Sequence, residues 1–385
     1  MRITLLSKAF LPNVGGVETS SAMIAQVWQE AGHDVEVVTA TPDDQPWRGP
    51  YRVSRSWTLP TLVRKIAASD FVATNGYSRV AVVASALSRR SVVVFHQGYQ
   101  LICSDGLGFR DRTFHGFRIG SDIRLAFAAG PKQGLRALAR VPVDAAVRAW
   151  SPGTKHVVPS RHVATRLRLP DSTVLYQPPN PAVIAALEDL GPQTVEARAD
   201  AHEHGDIVFF GRLVFEKGCD VLVRAYALWL GRGGPGLRPD RARPRLVIYG
   251  RGPELTQIEA LVRDLDVAAS VDIRPFLGGR DLVLAARRAS VVVVPSVWEE
   301  PGATIAVELF ACGVPVIATA TGAQGEIFAG QGSLVPNGDV STLADAIAEH
   351  FSSGPIFPHP TGYEPWGLPA ISKSLLALLD PMPIS

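Results

Sequence analysis

Only three cysteines, Cys103, Cys219 and Cys312, occur in 385 residues, far apart and with no CxxC pair. That spacing excludes a disulfide framework and a cysteine-built zinc site, and it suits a reducing compartment. Long apolar runs are missing too. Nowhere do about 18 apolar residues follow one another, so no transmembrane helix is expected. The opening MRITLLSKAF breaks its apolar run at Ser7 and Lys8, too early for the core of a signal peptide. A cytoplasmic location is the resulting expectation. Charge of one sign is scarce, since 38 Lys and Arg against 36 Asp and Glu leave +2. Overall charge therefore identifies no partner. No GxGxxG follows an expected strand, since the match at Gly231–Gly236 comes after a helical stretch, which argues against an NAD-dependent oxidoreductase. No fixed-period repeat of the solenoid kind is present.

What is there suits an ordinary globular protein, with 46% hydrophobic and 19% charged residues. The chain exceeds the ~250–300 residues at which single cores stop growing, so two domains are expected. Short Val- and Ile-rich runs recur: Ile3–Leu6, Val35–Thr39, Phe71–Thr74, Val92–Phe95, His156–Val158 and Thr173–Tyr176. A second series follows: Ile207–Phe210, Leu246–Tyr249, Val271–Ile273, Val291–Pro295, Pro315–Thr319 and Ser333–Val335. Strands buried on both faces of a parallel sheet read this way. Helical patterns lie between them, at Thr19–Ala31, Lys217–Leu230, Pro253–Leu265, Asp281–Ala289 and Ser341–His350. Alternation of the two implies α/β domains with parallel sheets. The boundary is expected between Pro178 and His204, where QPPNPAV precedes a polar stretch, Asp189–Gly205. Gly231–Pro244 reads as a surface loop.

Tandem parallel domains bind ligands at the carboxyl ends of their strands, so the residues after each strand carry the candidate chemistry. After the first strand, Gly15 and Gly16 precede a helix expected near Thr19; glycines admit close backbone approach and a helix amino end favours anions. After Ile207–Phe210 come Arg212 and Lys217, two cations able to neutralise a diphosphate. After Leu246–Tyr249 come Gly250 and Gly252, a tight turn, with Pro253 as expected first helical residue. After Val92–Phe95 comes His96, a structural histidine or one that donates to a sugar. The richest element is VVVVPSVWEEPGATIAVELFACG, Val291–Gly313. Its pattern predicts a strand, a loop, and a helix opened by Pro301 and ended by Gly313. Glu300 and Glu308 stand eight residues apart, about 12 Å if the span were all helix. That is comparable to the separation of the two sugars of a nucleotide sugar. Carboxylates accept paired hydrogen bonds from a diol.

Together these segments resemble the retaining glycosyltransferases of the GT-B fold, glycosyltransferase family 4. GGVETSSAMIAQVWQEAGHDVEVVT, VFFGRLVFEKGCDVLVRA, IYGRGPE, PSVWEEPGATIAVELFACGVPVIAT and GSLVPNGDVSTLADAI stand in the family's order. The resemblance implies two Rossmann-like domains facing a central cleft. The first, 1–180, would bind acceptor and the second, 181–360, nucleotide sugar; a tail helix, 361–385, would pack back toward the first. It implies that Arg212 and Lys217 bind the donor diphosphate, Glu308 the ribose, and Glu300 the donor sugar. Glu299 adjoins Glu300, and the spacing to Glu308 selects Glu300. Gly15, Gly16 and His96 would approach phosphate and sugar. Gly250, Gly252, Pro253, Phe276, Ala303 and Thr304 would complete the donor pocket. Glu300, His96, Arg212 and Lys217 are the implied catalytic group. No metal or cofactor is implied, the donor being a UDP- or GDP-linked substrate. The pair Asp264 and Asp266 sits at a predicted helix end and reads as chance. One departure concerns donor preference: Gly302, Ala303 and Thr304 replace the family's Phe-Gly after Glu300-Pro301. Sugar-nucleotide 2-epimerases share this architecture and form the alternative reading.

The acceptor is expected to be a glycan, a lipid-linked hydroxyl or a small molecule. Residues 110–168 hold twelve Lys or Arg against three Asp, a local net of +9. Phe109, Phe114, Phe117, Phe127 and Trp150 interleave with them, which suits peripheral contact with an anionic membrane as well as a solvated basic face. No nucleic-acid recognition module is visible.

Overall fold

The β-branched runs form strands whose side chains are buried on both faces, and the amphipathic stretches between them form the covering helices. The computed structural model describes residues 1–13, 15–43, 47–103, 106, 108–110, 113–114, 119–149, 154–236, 242–357 and 367–379. The chain divides into two units, Met1–Tyr176 with Leu368–Ser385, and Gln177–Gly367.

The first unit holds a seven-stranded sheet, parallel throughout. Its strands are β1 (Arg2–Ser7), β2 (Asp34–Val38), β3 (Arg52–Ser54), β4 (Phe71–Asn75), β5 (Val93–Phe95), β8 (Lys155–Val158) and β9 (Thr173–Val174). They lie in the order β3-β2-β1-β4-β5-β8-β9. A small antiparallel pair, β6 (Phe109–Arg110) and β7 (Thr113–Phe114), stands apart. The edge strand β3 and this pair escaped the periodicity reading because two or three residues show no pattern. Helix α1 (Gly16–Glu30) opens three residues before the expected Thr19. The last helix, α15 (Leu368–Ala377), belongs to this unit: Ile371 and Leu375 enter its core, and the Trp28 indole donates to the Leu375 carbonyl at 3.1 Å.

The second unit holds six parallel strands. They are β10 (Ile207–Arg212), β11 (Leu246–Arg251), β12 (Val271–Arg274), β13 (Val291–Val294), β14 (Val316–Thr319) and β15 (Ser333–Val335), in the order β12-β11-β10-β13-β14-β15. Its core gathers Phe209, Tyr226, Trp229 and Ile347, and Trp229 stacks on Phe351 at 5.5 Å. The stretch 189–205, expected as polar linker, instead ends α7 (Pro181–Leu190) and forms α8 (Val195–His204). Pro181 occupies the first turn of α7, where its missing N–H costs nothing, so the prolines here open a helix rather than only separate domains. Of Gly231–Pro244, residues 237–241 lie outside the described residues.

Both sheets reverse strand order at one point, between β1 and β4 and between β10 and β13. Loops leaving two such strands diverge to opposite faces and open a crevice at the strands' carboxyl ends. Among the described residues no helix is long and apolar enough to cross a membrane. Of the aromatics in the basic stretch, Phe117 and Trp150 lie outside the described residues, as do the side chains of Phe109 and Phe114.

Candidate active site

In the second unit the reversal point is stitched by backbone. After β10 the chain makes a short 3-10 turn, Phe215–Lys217, and then Gly218 at φ 65° before α9 (Cys219–Gly231). A Cβ at Gly218 would collide with the Pro295 carbonyl at the end of β13, so only glycine permits this approach. The Val297 N–H donates to the Glu216 carbonyl at 3.1 Å, tying the two loops together. The loop after β14 joins them: the Ala323 N–H donates to the Glu300 carbonyl at 2.8 Å, and the Thr319 hydroxyl to the Ser296 carbonyl at 2.7 Å. Gly322, at φ 61°, leaves no room for a Cβ against the Glu300 backbone.

Held by these loops, the Lys217 ammonium and the Glu300 carboxylate form an ion pair across the reversal point. Both side chains are largely buried, 17% and 6% exposed. The Ser296 hydroxyl donates to the same carboxylate oxygen at 3.0 Å. An ammonium has three donors, so Lys217 keeps capacity for a second anion. Glu299, also buried, is the neighbour and not the partner of Lys217. Arg212 closes strand β10 instead of lying on the loop; it is exposed and stands 3.8 Å from Glu216.

The expected helix at Pro301 begins later. Helix α12 spans Thr304–Cys312, and Ala303 precedes it at φ 40°, ψ 54°. A residue in the left-handed region cannot continue a right-handed helix, so Pro301, Gly302 and Ala303 form a loop. The 12 Å estimate for a continuous helix from Glu300 to Glu308 therefore does not apply. The residue at the amino end of α12, Ala303, has no side chain able to cap it. Its first N–H groups and the helix dipole favour an anion there. A strained non-glycine residue at that position is a common mark of a functional loop. Thr304 is the first helical residue.

Glu308 is buried on α12, not in the exposed ion pair of an ordinary amphipathic helix. One carboxylate oxygen accepts the Asn180 N–H at 3.1 Å, while the Asn180 side chain caps α7 by accepting the Ala182 N–H at 2.9 Å. Burial pushes the Glu308 carboxyl up to about 7, and the Asn180 hydrogen bond opposes this.

The remaining donor residues take different places. Gly250 lies inside β11 and Gly252 just after it. A Cβ at either would run into the Gly211–Leu213 backbone or the Leu213 side chain, so both glycines serve the packing of adjacent loops. Pro253 sits in a turn, because α10 (Leu255–Asp264) opens two residues beyond it. Phe276 is exposed, with the Arg251 guanidinium 5.7 Å over its ring. Asp264 ends α10 and Asp266 follows at φ 56°. Among the described residues no three His, Cys, Asp or Glu are placed to hold a metal ion.

Gly15, Gly16 and His96 belong to the first unit. Gly15 precedes α1 in an extended conformation, and a Cβ there would press on the Glu18 carboxylate. Around Gly16 the space is open. His96 follows β5 and is fully buried. Its Nε2 meets Nδ1 of His156 at 3.0 Å, and Tyr77 stacks on its ring. Burial, with His156 adding to it, drives His96 down to about 3, so both rings are neutral at pH 7. His96 Nδ1 and His156 Nε2 are buried without hydrogen-bond partners among the described residues. Sequence reasoning missed Ser296, Asn180, Gly322 and His156. Gly322 follows a strand end as Gly252 does, which was the available signal; His156 lies mid-strand and gave none.

Residues 195–371 match the family described as glycosyl transferases group 1. The matched stretch covers most of the second unit, which is thus similar to a group 1 glycosyltransferase domain. Within the matched stretch lie Lys217, Glu300 and Glu308. D-inositol 3-phosphate glycosyltransferase of Saccharomonospora viridis is 39% identical over 153 residues, 37% of this chain and 33% of that protein. Its counterpart in Acidothermus cellulolyticus is 37% identical over 159 residues, 38% of this chain and 34% of that one. The matched stretch thus spans about a third of the curated relatives' length. Among solved structures, sucrose-phosphate synthase from Thermosynechococcus elongatus superposes with a TM-score of 0.66 at 18% identity, covering 98% of both chains. The Anabaena protein HepE in complex with UDP-glucose gives 0.62 at 15%, covering 98% and 99%. At such identities the likeness shows the fold: two parallel-sheet α/β domains of the GT-B type.

Proposed function

We propose that this protein transfers a glycosyl group from a nucleotide-diphosphate sugar to an acceptor hydroxyl, with retention at the anomeric carbon. One observation carries the reading: the buried Lys217–Glu300 pair stands at the strand reversal, immediately before the amino end of α12. A diphosphate at that helix end would meet the dipole and Lys217, with Arg212 free to turn toward it from the surface. Glu300 then accepts from hydroxyls of the donor sugar and Glu308 from the ribose diol. As the sugar–phosphate bond breaks, negative charge grows on the leaving oxygen, and these fixed positive groups stabilise it there more than in the ground state. The leaving phosphate takes the proton of the incoming hydroxyl, so no side chain serves as general base. The resemblance assigns Gly15, Gly16 and His96 to the sugar side, and leaves the reaction without a resident metal.

The HepE complexes with UDP and UDP-glucose support a UDP-linked donor. The acceptor is proposed to be a glycan or a lipid-linked hydroxyl. The relatives above are named as transferases or a synthase, not epimerases.

The test is a thermal-shift panel of UDP-, GDP-, ADP- and CDP-sugars, since a bound donor raises Tm by mass action. One class of donor should raise it in the wild type and fail to do so in Lys217→Ala. Anomeric NMR of the product made with the donor so identified checks retention. No shift with any donor, or an equal shift in the variant, overturns the reading.

A further inference from the structure

We propose that the first unit docks on an anionic lipid surface through a face built jointly by three helices, α3 (Arg79–Leu87), α4 (Ile119–Ala128) and α5 (Pro131–Ala149). Helix α3 buries Ala81, Ala84 and Ser85 and turns Val80, Val83 and Leu87 outward. Those three stand at i, i+3 and i+7, one stripe of a helix. Helix α5 does the same with Leu135 and Leu138, while Gly134 and Ala137 face inward. The helices are joined: α3 packs on α5 and α5 on α4. Phe127 of α4 crosses α5 at Gly134, where any side chain would strike its ring.

Exposed apolar side chains scattered singly need no explanation. Here they are concentrated. Six of the fourteen exposed large hydrophobics among the described residues lie on these three helices, which hold about a tenth of the chain. Cations flank the stripe: exposed Arg89 and Arg90 follow α3, Arg124 lies on α4, and Lys132 and Arg136 lie on α5. Over residues 79–90 and 119–149 there are eight Lys or Arg and two Asp. A basic surface meant only for water has no use for a row of exposed leucines. Leucines beside long basic side chains suit the head-group boundary, where the apolar stripe enters the acyl layer and the cations reach anionic phosphates. The contribution of α3 lies outside the basic stretch 110–168 and comes from tertiary packing alone.

This inference stands apart from the transferase reading and is tested without nucleotide. The full chain is co-sedimented with vesicles of phosphatidylcholine alone and with 30% phosphatidylglycerol. Binding is expected to the anionic vesicles only, falling at least tenfold at high salt. Leu87→Glu and Leu135→Glu should each reduce partitioning about tenfold with the thermal melt unchanged. Val195→Glu, an exposed apolar position of the second unit, should leave it intact, as should Lys217→Ala. Absence of binding to anionic vesicles overturns the proposal. So does binding insensitive to both leucine variants, or full displacement by a soluble acidic polypeptide such as polyglutamate, which would assign the face to an acidic protein partner.

Discussion

Replacing Glu308 by glutamine should stabilise the second unit, by an amount that depends on pH. The carboxyl sits buried on α12, and burial lifts it from an ordinary 4.5 to about 7. Between those values the folded chain keeps a proton that the unfolded chain has released. The folded state therefore binds more protons, and stability falls as pH rises through this window. At about 1.4 kcal/mol per pH unit, the full loss reaches about 3 kcal/mol by pH 8. Glutamine keeps the oxygen that accepts the Asn180 N–H and carries no charge to desolvate. Near pH 4.5 variant and wild type should melt together. At pH 8 the variant should melt higher by about 6–12 °C, at roughly 2–4 °C per kcal/mol for a unit of this size. Thermal melts of both proteins from pH 4.5 to 8 measure it. A Tm difference that does not change with pH, or a wild type that is the more stable at pH 8, refutes the reasoning.

If Glu308 takes the proposed ribose role, nucleotide binding should show the reverse dependence, because a diol would donate to its ionised form. A donor should bind about tenfold more weakly at pH 6 than at pH 8, with a proton released that calorimetry in buffers of different ionisation enthalpy counts. Lys217→Met should cost about 3–5 kcal/mol by stranding the buried Glu300 charge, whereas Lys217→Met with Glu300→Gln should recover most of it; equal melts for single and double variants would refute the buried pair. Ala303→Gly should raise stability by about 1 kcal/mol by relieving the left-handed backbone, and an unchanged or lower Tm counts against strain there. Gly322→Ala should lower Tm sharply, since its Cβ would press on the Glu300 backbone, and wild-type stability and donor binding in that variant would show the loop contact to be dispensable.

Much of this molecule is written locally. Short Val and Ile runs specify strands because both faces of a parallel sheet are dry, and the helical period between them specifies the covering layer. Lys217 and Glu300 stand out as candidates for the same reason: ligand chemistry in α/β sheets gathers where strands end, and strand ends are visible as the close of an apolar run; Glu308, inside α12, is reached only through its spacing from Glu300. The chain alone could not tell that Arg212 ends its strand at the surface while Lys217 turns inward, because that depends on Gly218 fitting under the Pro295 carbonyl. Nor could it place the start of α12: Pro301 is a good helix opener in isolation, and the loop that holds Ala303 left-handed overrides it. The shifted carboxyl of Glu308, the pairing of His96 with His156, and the apolar face that α3 shares with α5 all join residues distant in sequence. Burial and long-range packing set them, and only the folded chain brings those partners together.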